Sequence, residues 1–260
     1  MECLTIMVTA RKIPATYDYY IALGDSMSID CYPATDARES GITPENKIGA
    51  AALFYQNEPE LFAEFAGQDL KTFFPGINYN NMVLDGATTD KFIAPDRIAE
   101  LDKVSDRQVL ITLTVGGNDL LESFSTIDNG TARSPKRSFD DICQSYVRGL
   151  KLLNSKLPQS TLIVTTLFDP SDGSGHLPSD GEHKFPTKVL LEFNQWIKDC
   201  ASSQTALLAD VYQHFRGHGA GCDSPDSFWY WKKDPIEPSY VGASEIRRVW
   251  LQVLSQVHYK

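Results

Sequence analysis

The sequence has no apolar run longer than a strand. A membrane-spanning helix needs about 20 consecutive apolar residues, so nothing in these 260 residues is expected to insert into a bilayer as a helix. Cysteine is scarce: Cys3, Cys31, Cys143, Cys200 and Cys222 are odd in number, scattered, and form no Cys-x-x-Cys pair. That usage argues against a disulfide framework and fits reduced thiols and a cytoplasmic location. No His/Cys/Asp cluster has metal-ligand spacing, so neither a metal nor another cofactor is expected. Positive charge is also in deficit, with 24 basic residues against 34 acidic ones and a formal charge of -10. Without a basic patch a phosphate backbone is repelled, which removes nucleic acid from the expected partners. Arg11 and Lys12 follow a short apolar run rather than preceding it. This reverses the order of a secretory signal, so the N-terminus reads as mature protein.

What is present is an ordinary globular composition, 42% hydrophobic and 22% charged, sufficient for one sizeable core. Compact apolar runs at Tyr19 to Leu23, Met82 to Leu84, Val109 to Val115, Leu162 to Leu167 and Ala206 to Val211 read as five strands. Several are apolar on both faces, as strands of a parallel sheet covered by helices on both sides must be. Ile142, Tyr146, Leu150, Leu153 and Leu157 recur at helical spacing, as do Val189, Leu190, Phe193 and Ile197 after Pro186. Near the C-terminus Ile246, Val249, Trp250, Val253, Leu254 and Val257 form an apolar stripe, with Glu245, Arg247, Arg248 and Gln252 outside it. The alternation predicts one α/β domain over residues 1–260, a three-layer α/β/α sandwich on a mostly parallel five-stranded sheet, with residues 1–17 as an N-terminal extension. Two polar stretches, 123–138 and 169–186, follow strand ends and are expected either to wall a site or to be plain surface connections.

Three strand ends carry residues with chemistry. The first strand runs into Gly24-Asp25-Ser26, which exposes a hydroxyl at the turn leaving the sheet; an ordinary turn with a helix cap would look the same. The second runs into Asp85-Gly86-Ala87, where glycine allows a tight turn and close approach of its N–H to a ligand. The third runs into Gly116-Gly117-Asn118-Asp119, where Asn118 offers a neutral amide donor. Together they bring a hydroxyl, a backbone N–H and an amide N–H to one sheet edge, the parts of an oxyanion site for acyl transfer.

These blocks resemble the SGNH hydrolases, or GDSL esterases and lipases, in residue type, order and strand-end placement. The resemblance implies a flavodoxin-like sheet of order 2-1-3-4-5 and a serine esterase that cleaves a small or medium acyl ester through an acyl-enzyme on Ser26. It further implies a small-molecule partner, with an acetylated carbohydrate as one candidate. By that likeness Ser26 is the nucleophile, and Gly86, Asn118 and the Ser26 N–H hold the oxyanion. The family's last block, Asp-x-x-His-Pro, is matched by Asp234-Pro235-Ile236-Glu237-Pro238, with Glu237 in place of the imidazole.

Three readings of that exchange stand. In the first, Glu237 near Asp234 is the base. Ordinary pKa values of about 4.3 for Glu and 6.5 for His make it weaker, but burial and repulsion narrow the gap. With a Brønsted sensitivity near one half the loss is on the order of tenfold. In the second, His218 in its glycine-flanked loop supplies the base, unless it simply bonds a backbone carbonyl; His214, His176 and His183 are further from the part. In the third, catalysis is lost and a silent ligand-binding pocket remains. Asp234 and Glu237 could also be a mere acidic pair at a helix start. Phe228, Trp229, Tyr230 and Trp231 either line the pocket or plug the space under a loop.

Overall fold

The structure is a computed structural model that describes residues 14–92, 94–124, 136–177, 185–204 and 206–258. Arg11, Lys12, Cys3, His183 and the middle of both polar stretches lie outside the described residues. Five strands, β1 (Tyr19–Gly24), β2 (Asn78–Val83), β3 (Val109–Thr114), β4 (Ser160–Thr165) and β5 (Leu207–Ala209), form a parallel sheet of order β2-β1-β3-β4-β5. The helices are α1 (Cys31–Glu39), α2 (Ala50–Tyr55), α3 (Leu70–Phe73), α4 (Pro95–Asp102), α5 (Gly117–Phe124), α6 (Phe139–Lys156), α7 (Thr187–Ser203), α8 (Val211–Phe215) and α9 (Tyr240–His258). Helices α1 and α2 pack on α9 in one layer, and α5 and α6 pack on α7 in the other. This is the α/β/α sandwich the sequence predicts.

Burial explains the strand pattern. Every residue of β3 and β4 is buried, because helices cover both faces of the central sheet. The edge strand β2 begins four residues earlier than its apolar signal, with Asn78, Tyr79, Asn80 and Asn81 on a partly exposed margin. A small antiparallel hairpin, β6 (Tyr230–Trp231) and β7 (Asp234–Pro238), was not foreseen. It turns on Lys232 and Lys233.

Tyr17 is buried, packs edge-on against Phe74 at 5.2 Å and donates a 2.9 Å hydrogen bond to the Thr161 hydroxyl, so the extension expected over 1–17 joins the core before its end. Helix α9 covers the same face of the sheet. Its stripe buries Ile246, Val249, Trp250 and Leu254, and the Trp250 indole N–H reaches the Thr165 hydroxyl of β4 at 3.0 Å. Arg247 departs from the expected pattern, because it is fully buried rather than outside the stripe. Its guanidinium donates to Asn57 at 2.7 Å and to Ser244, and lies 3.6 Å from the centre of the Phe65 ring. Those partners, and the negative face of the ring, compensate a charge that burial alone would make costly.

Candidate active site

Strand register brings the three motifs together. Gly24 pairs with Val83 on one side and Thr114 on the other, so the segments that follow leave the sheet side by side at its C-terminal edge. The approach there is close. A Cβ on Gly24 would sit 2.0 Å from the Thr114 carbonyl oxygen, and the residue has φ of +134°, so only glycine fits.

Ser26 opens a single 3-10 turn, Ser26–Ser28, capped by the Asp25 carboxylate, which accepts from the Met27 N–H at 3.2 Å. The turn is fastened to β3 by the Asp25 N–H on the Thr114 carbonyl at 2.8 Å and by a 2.7 Å bond between the Ser28 and Thr114 hydroxyls. Ser26 itself is partly exposed. The next turn, Leu84 to Ala87, is closed by Ala87 N–H to Leu84 carbonyl at 3.1 Å, with Gly86 at its third position and φ of +66°. Asn118, in the first turn of α5, donates one amide N–H to the Ala87 carbonyl at 3.0 Å and keeps a second for a ligand.

Ser26, Asn118 and Glu237 line one cavity of about 40 Å3, together with Asp25. Leu121, Phe168, Leu190 and Ile236 make much of its apolar wall. Gly86 lies on the adjacent exposed turn, outside the cavity wall. Glu237 is delivered by the hairpin, where Tyr230 pairs with Pro238 and Trp231 with Asp234. Tyr230 pins the hairpin over the sheet by packing edge-on to Phe168 at 5.0 Å and against Phe215 at 5.7 Å. Asp234 and Glu237 therefore lie in a strand, not at a helix start, and the helix-dipole reading of the pair is replaced.

Charge around the cavity is one-sided. Burial pushes the Glu237 carboxyl well above its usual range; hydrogen bonding with the Ser26 side chain pulls it back, and repulsion from Asp234, Asp25 and Asp85 adds to the rise. Its Oε2 is buried and meets no hydrogen-bond partner among the described residues. Such an atom calls for a proton or a ligand. Burial also lifts Asp25 up to about 7, against the pull of its hydrogen bonds from Thr114 and Met27. Among the described residues no Lys, Arg or His lines the cavity.

Asp25 has a consequence for stability. The unfolded carboxyl loses its proton near 3.8 and the folded one near 7, so the folded state binds more protons between those values and stability falls as pH rises through that window. Asp25→Asn keeps an acceptor for the Met27 N–H and is expected to flatten this slope, worth on the order of 4 kcal/mol in all. Urea unfolding at pH 4 to 8 checks it; parallel slopes in both proteins would contradict the assignment.

His218 is not brought to Ser26. Its Nδ1 is bonded to the Ser227 carbonyl at 2.8 Å and its ring stacks on Trp229 at 3.3 Å, outside the cavity, as a histidine satisfied by a backbone carbonyl. His214 is paired with Glu245 at 2.7 Å. The aromatic block, read as lining or plug, is a plug: Tyr230 is buried between Phe168 and Phe215, and none of Phe228 to Trp231 lines the cavity. Of the two polar stretches, Phe185 and Pro186 contribute to the wall. The sequence reading missed Asp25, which stands inside the motif and whose burial was the absent clue. Among the described residues no three His, Cys, Asp or Glu side chains are grouped to hold a metal. Among them, too, no helix is long and apolar enough to cross a membrane.

Known structures share this architecture. An α/β hydrolase enzyme from the metagenome of Lake Arreo matches at a TM-score of 0.64 and 15% identity, covering 95% of this chain and 99% of that one. An acetylxylan esterase of Geobacillus stearothermophilus matches at 0.61 and 18%, covering 94% and 96%. A member of the lipolytic G-D-S-L family from Veillonella parvula matches at 0.55 and 16%, covering 92% and 98%. No curated protein matches the sequence. The fold is that of the SGNH hydrolases, and the family match makes the chain an ester-hydrolysing hydrolase. The GDSL-like lipase/acylhydrolase family matches residues 20–247, and the chain belongs to that family.

Proposed function

We propose that the chain is a serine esterase acting on short acyl esters, with Glu237 as its base. Ser26 Oγ attacks the carbonyl carbon while Glu237 takes the hydroxyl proton. The oxyanion is held by the N–H groups of Ser26 and Gly86 and by the free N–H of the Asn118 amide. Collapse expels the alcohol, which recovers the proton from Glu237 and leaves an acyl-Ser26. Water, deprotonated by Glu237 in turn, attacks the acyl carbon; the bond to Ser26 Oγ breaks, Oγ recovers the proton from Glu237, and the acid is released. Burial that raises the Glu237 pKa strengthens it as a base once ionised, which offsets the missing imidazole.

The observation that carries this reading is one cavity walled by Ser26, Asn118 and Glu237 together. Its volume of about 40 Å3 is small beside the roughly 150 Å3 of an apolar cavity that binds benzene, which supports an acetyl-sized group. Likeness to an acetylxylan esterase supports an acetylated carbohydrate as the natural ester. Hydrolysis of p-nitrophenyl acetate, butyrate and octanoate tests it. The kcat/KM is expected to fall at least about tenfold from acetate to octanoate, since each misfit methylene is worth about 1–3 kcal/mol. Rates that rise with chain length would contradict the short-acyl reading. A folded protein that hydrolyses none of the three, and no acetylated xylooligosaccharide, would favour a silent binding pocket.

A further inference from the structure

We propose that Thr89, Asp119 and Arg137 form a positioning clamp that fixes the spacing between the Gly86 turn and the Asn118 end of α5. The inference rests on the esterase reading above, in which those two segments supply oxyanion donors. Consecutive residues of α5 are tied to the chain just past the turn. Asn118 donates to the Ala87 carbonyl at 3.0 Å. Asp119 accepts from the Thr89 N–H at 2.8 Å and from the Thr89 hydroxyl at 2.8 Å, using both carboxylate oxygens. Arg137 then closes the set from a third direction, donating to Asp119 and to the Thr89 hydroxyl at 3.0 Å. Its other amino group is anchored at the start of α6, on the Ser145 hydroxyl at 2.6 Å and the Asp141 carbonyl at 3.0 Å. Asp90, at 3.4 Å, is an outer partner of the same guanidinium.

Stability alone is a poor reason for this arrangement. The Asp119 side chain is fully buried while Arg137 is about three-quarters buried, and taking such a pair out of water returns little net stability. What the planar guanidinium adds is geometry, because its donors leave in fixed directions and engage two segments and a helix at once. An oxyanion hole depends on that rigidity, since a misplacement of about 1 Å can cost about 100-fold in rate. None of the three side chains lines the cavity, so they act through Gly86 and Asn118 rather than on substrate.

The test is steady-state kinetics on p-nitrophenyl acetate, with rates normalised to Ser26 titrated by a fluorophosphonate probe. Thr89→Val and Arg137→Gln are expected to lower kcat per titrated site by about 10- to 100-fold with KM within about twofold. Their affinity for a trifluoromethyl ketone, which forms a tetrahedral oxyanion adduct, should fall by the same factor as kcat/KM. Thr89→Ser keeps the hydroxyl and is expected to recover most of the rate. The double variant Asp119→Asn, Arg137→Gln leaves no unpaired buried charge and guards against loss of the fold; it too should be slow per site. A merely structural role would lower the melting temperature or the titratable fraction while leaving kcat per site unchanged, and that result overturns the clamp. A wild type that hydrolyses no ester overturns the esterase reading and the clamp with it, whereas an active wild type with unaltered variants overturns the clamp alone.

Discussion

Ser26→Ala is expected to lower kcat/KM on an acetyl ester by about 10⁴- to 10⁶-fold while leaving the fold intact. The size follows from what the hydroxyl does. In serine hydrolases the nucleophile and its base act as a unit, and removing the nucleophile forfeits nearly all of the acceleration except a residue of about 10³–10⁴ over water from the oxyanion donors. The fold is spared because Ser26 is partly exposed and the turn is held by its neighbours, through Asp25 to Met27 and Ser28 to Thr114. Burst-phase assays with active-site titration check this. A variant that keeps more than a tenth of the wild-type rate would remove Ser26 from the mechanism.

Glu237→Gln is expected to cost about 10²- to 10⁴-fold, the range of general-base catalysis. It should also stabilise the protein at alkaline pH. Burial holds the Glu237 carboxyl well above its usual 4.5, so the folded state keeps a proton that the unfolded chain has lost, and stability declines as pH rises from that value through the folded pKa. The amide cannot ionise, and that part of the decline disappears. Loss of activity together with gain of stability separates a strained catalytic carboxylate from a structural one, whose removal would lower both. The converse exchange, Glu237→His, restores the imidazole beside Asp234 and is expected to retain turnover with its pH dependence moved toward the imidazole range, about 6.5. Thermal melts at pH 5 and pH 9, run beside the kinetics, check the pair of effects.

Fold and site were legible in the sequence to different depths. Strands β3 and β4 announce themselves because apolar residues on both faces have no other use, and the α9 stripe does so by period. β2 hid its first half because an edge strand tolerates Asn78, Asn80 and Asn81. Arg247 read as a surface charge because its compensation comes from Asn57 and Phe65, which lie far away along the chain. Within the site, Ser26 and Asn118 could be named because each stands just past a strand end, and Glu237 because the last block of the resembled family falls on Asp234 to Pro238. The hairpin that carries Glu237 could not, since Tyr230-Trp231 and Asp234 to Pro238 are too short to show alternation and contain Pro235. The raised carboxyl of Asp25 and the convergence of Thr89, Asp119 and Arg137 were invisible for a common reason. They depend on burial and on separate elements meeting, which no local pattern records.

On the proposed mechanism a buried carboxylate at position 237 removes the proton from Ser26. The most direct measurement is the pH dependence of the rate at which a fluorophosphonate labels Ser26, followed by intact-protein mass spectrometry in the wild type and in Glu237→Gln. A single ascending limb is expected, with an apparent pKa well above 4.5, and it should vanish in Glu237→Gln. A limb that survives in Glu237→Gln and disappears instead in His218→Ala would contradict the mechanism, as would a folded wild type whose Ser26 stays unlabelled at every pH.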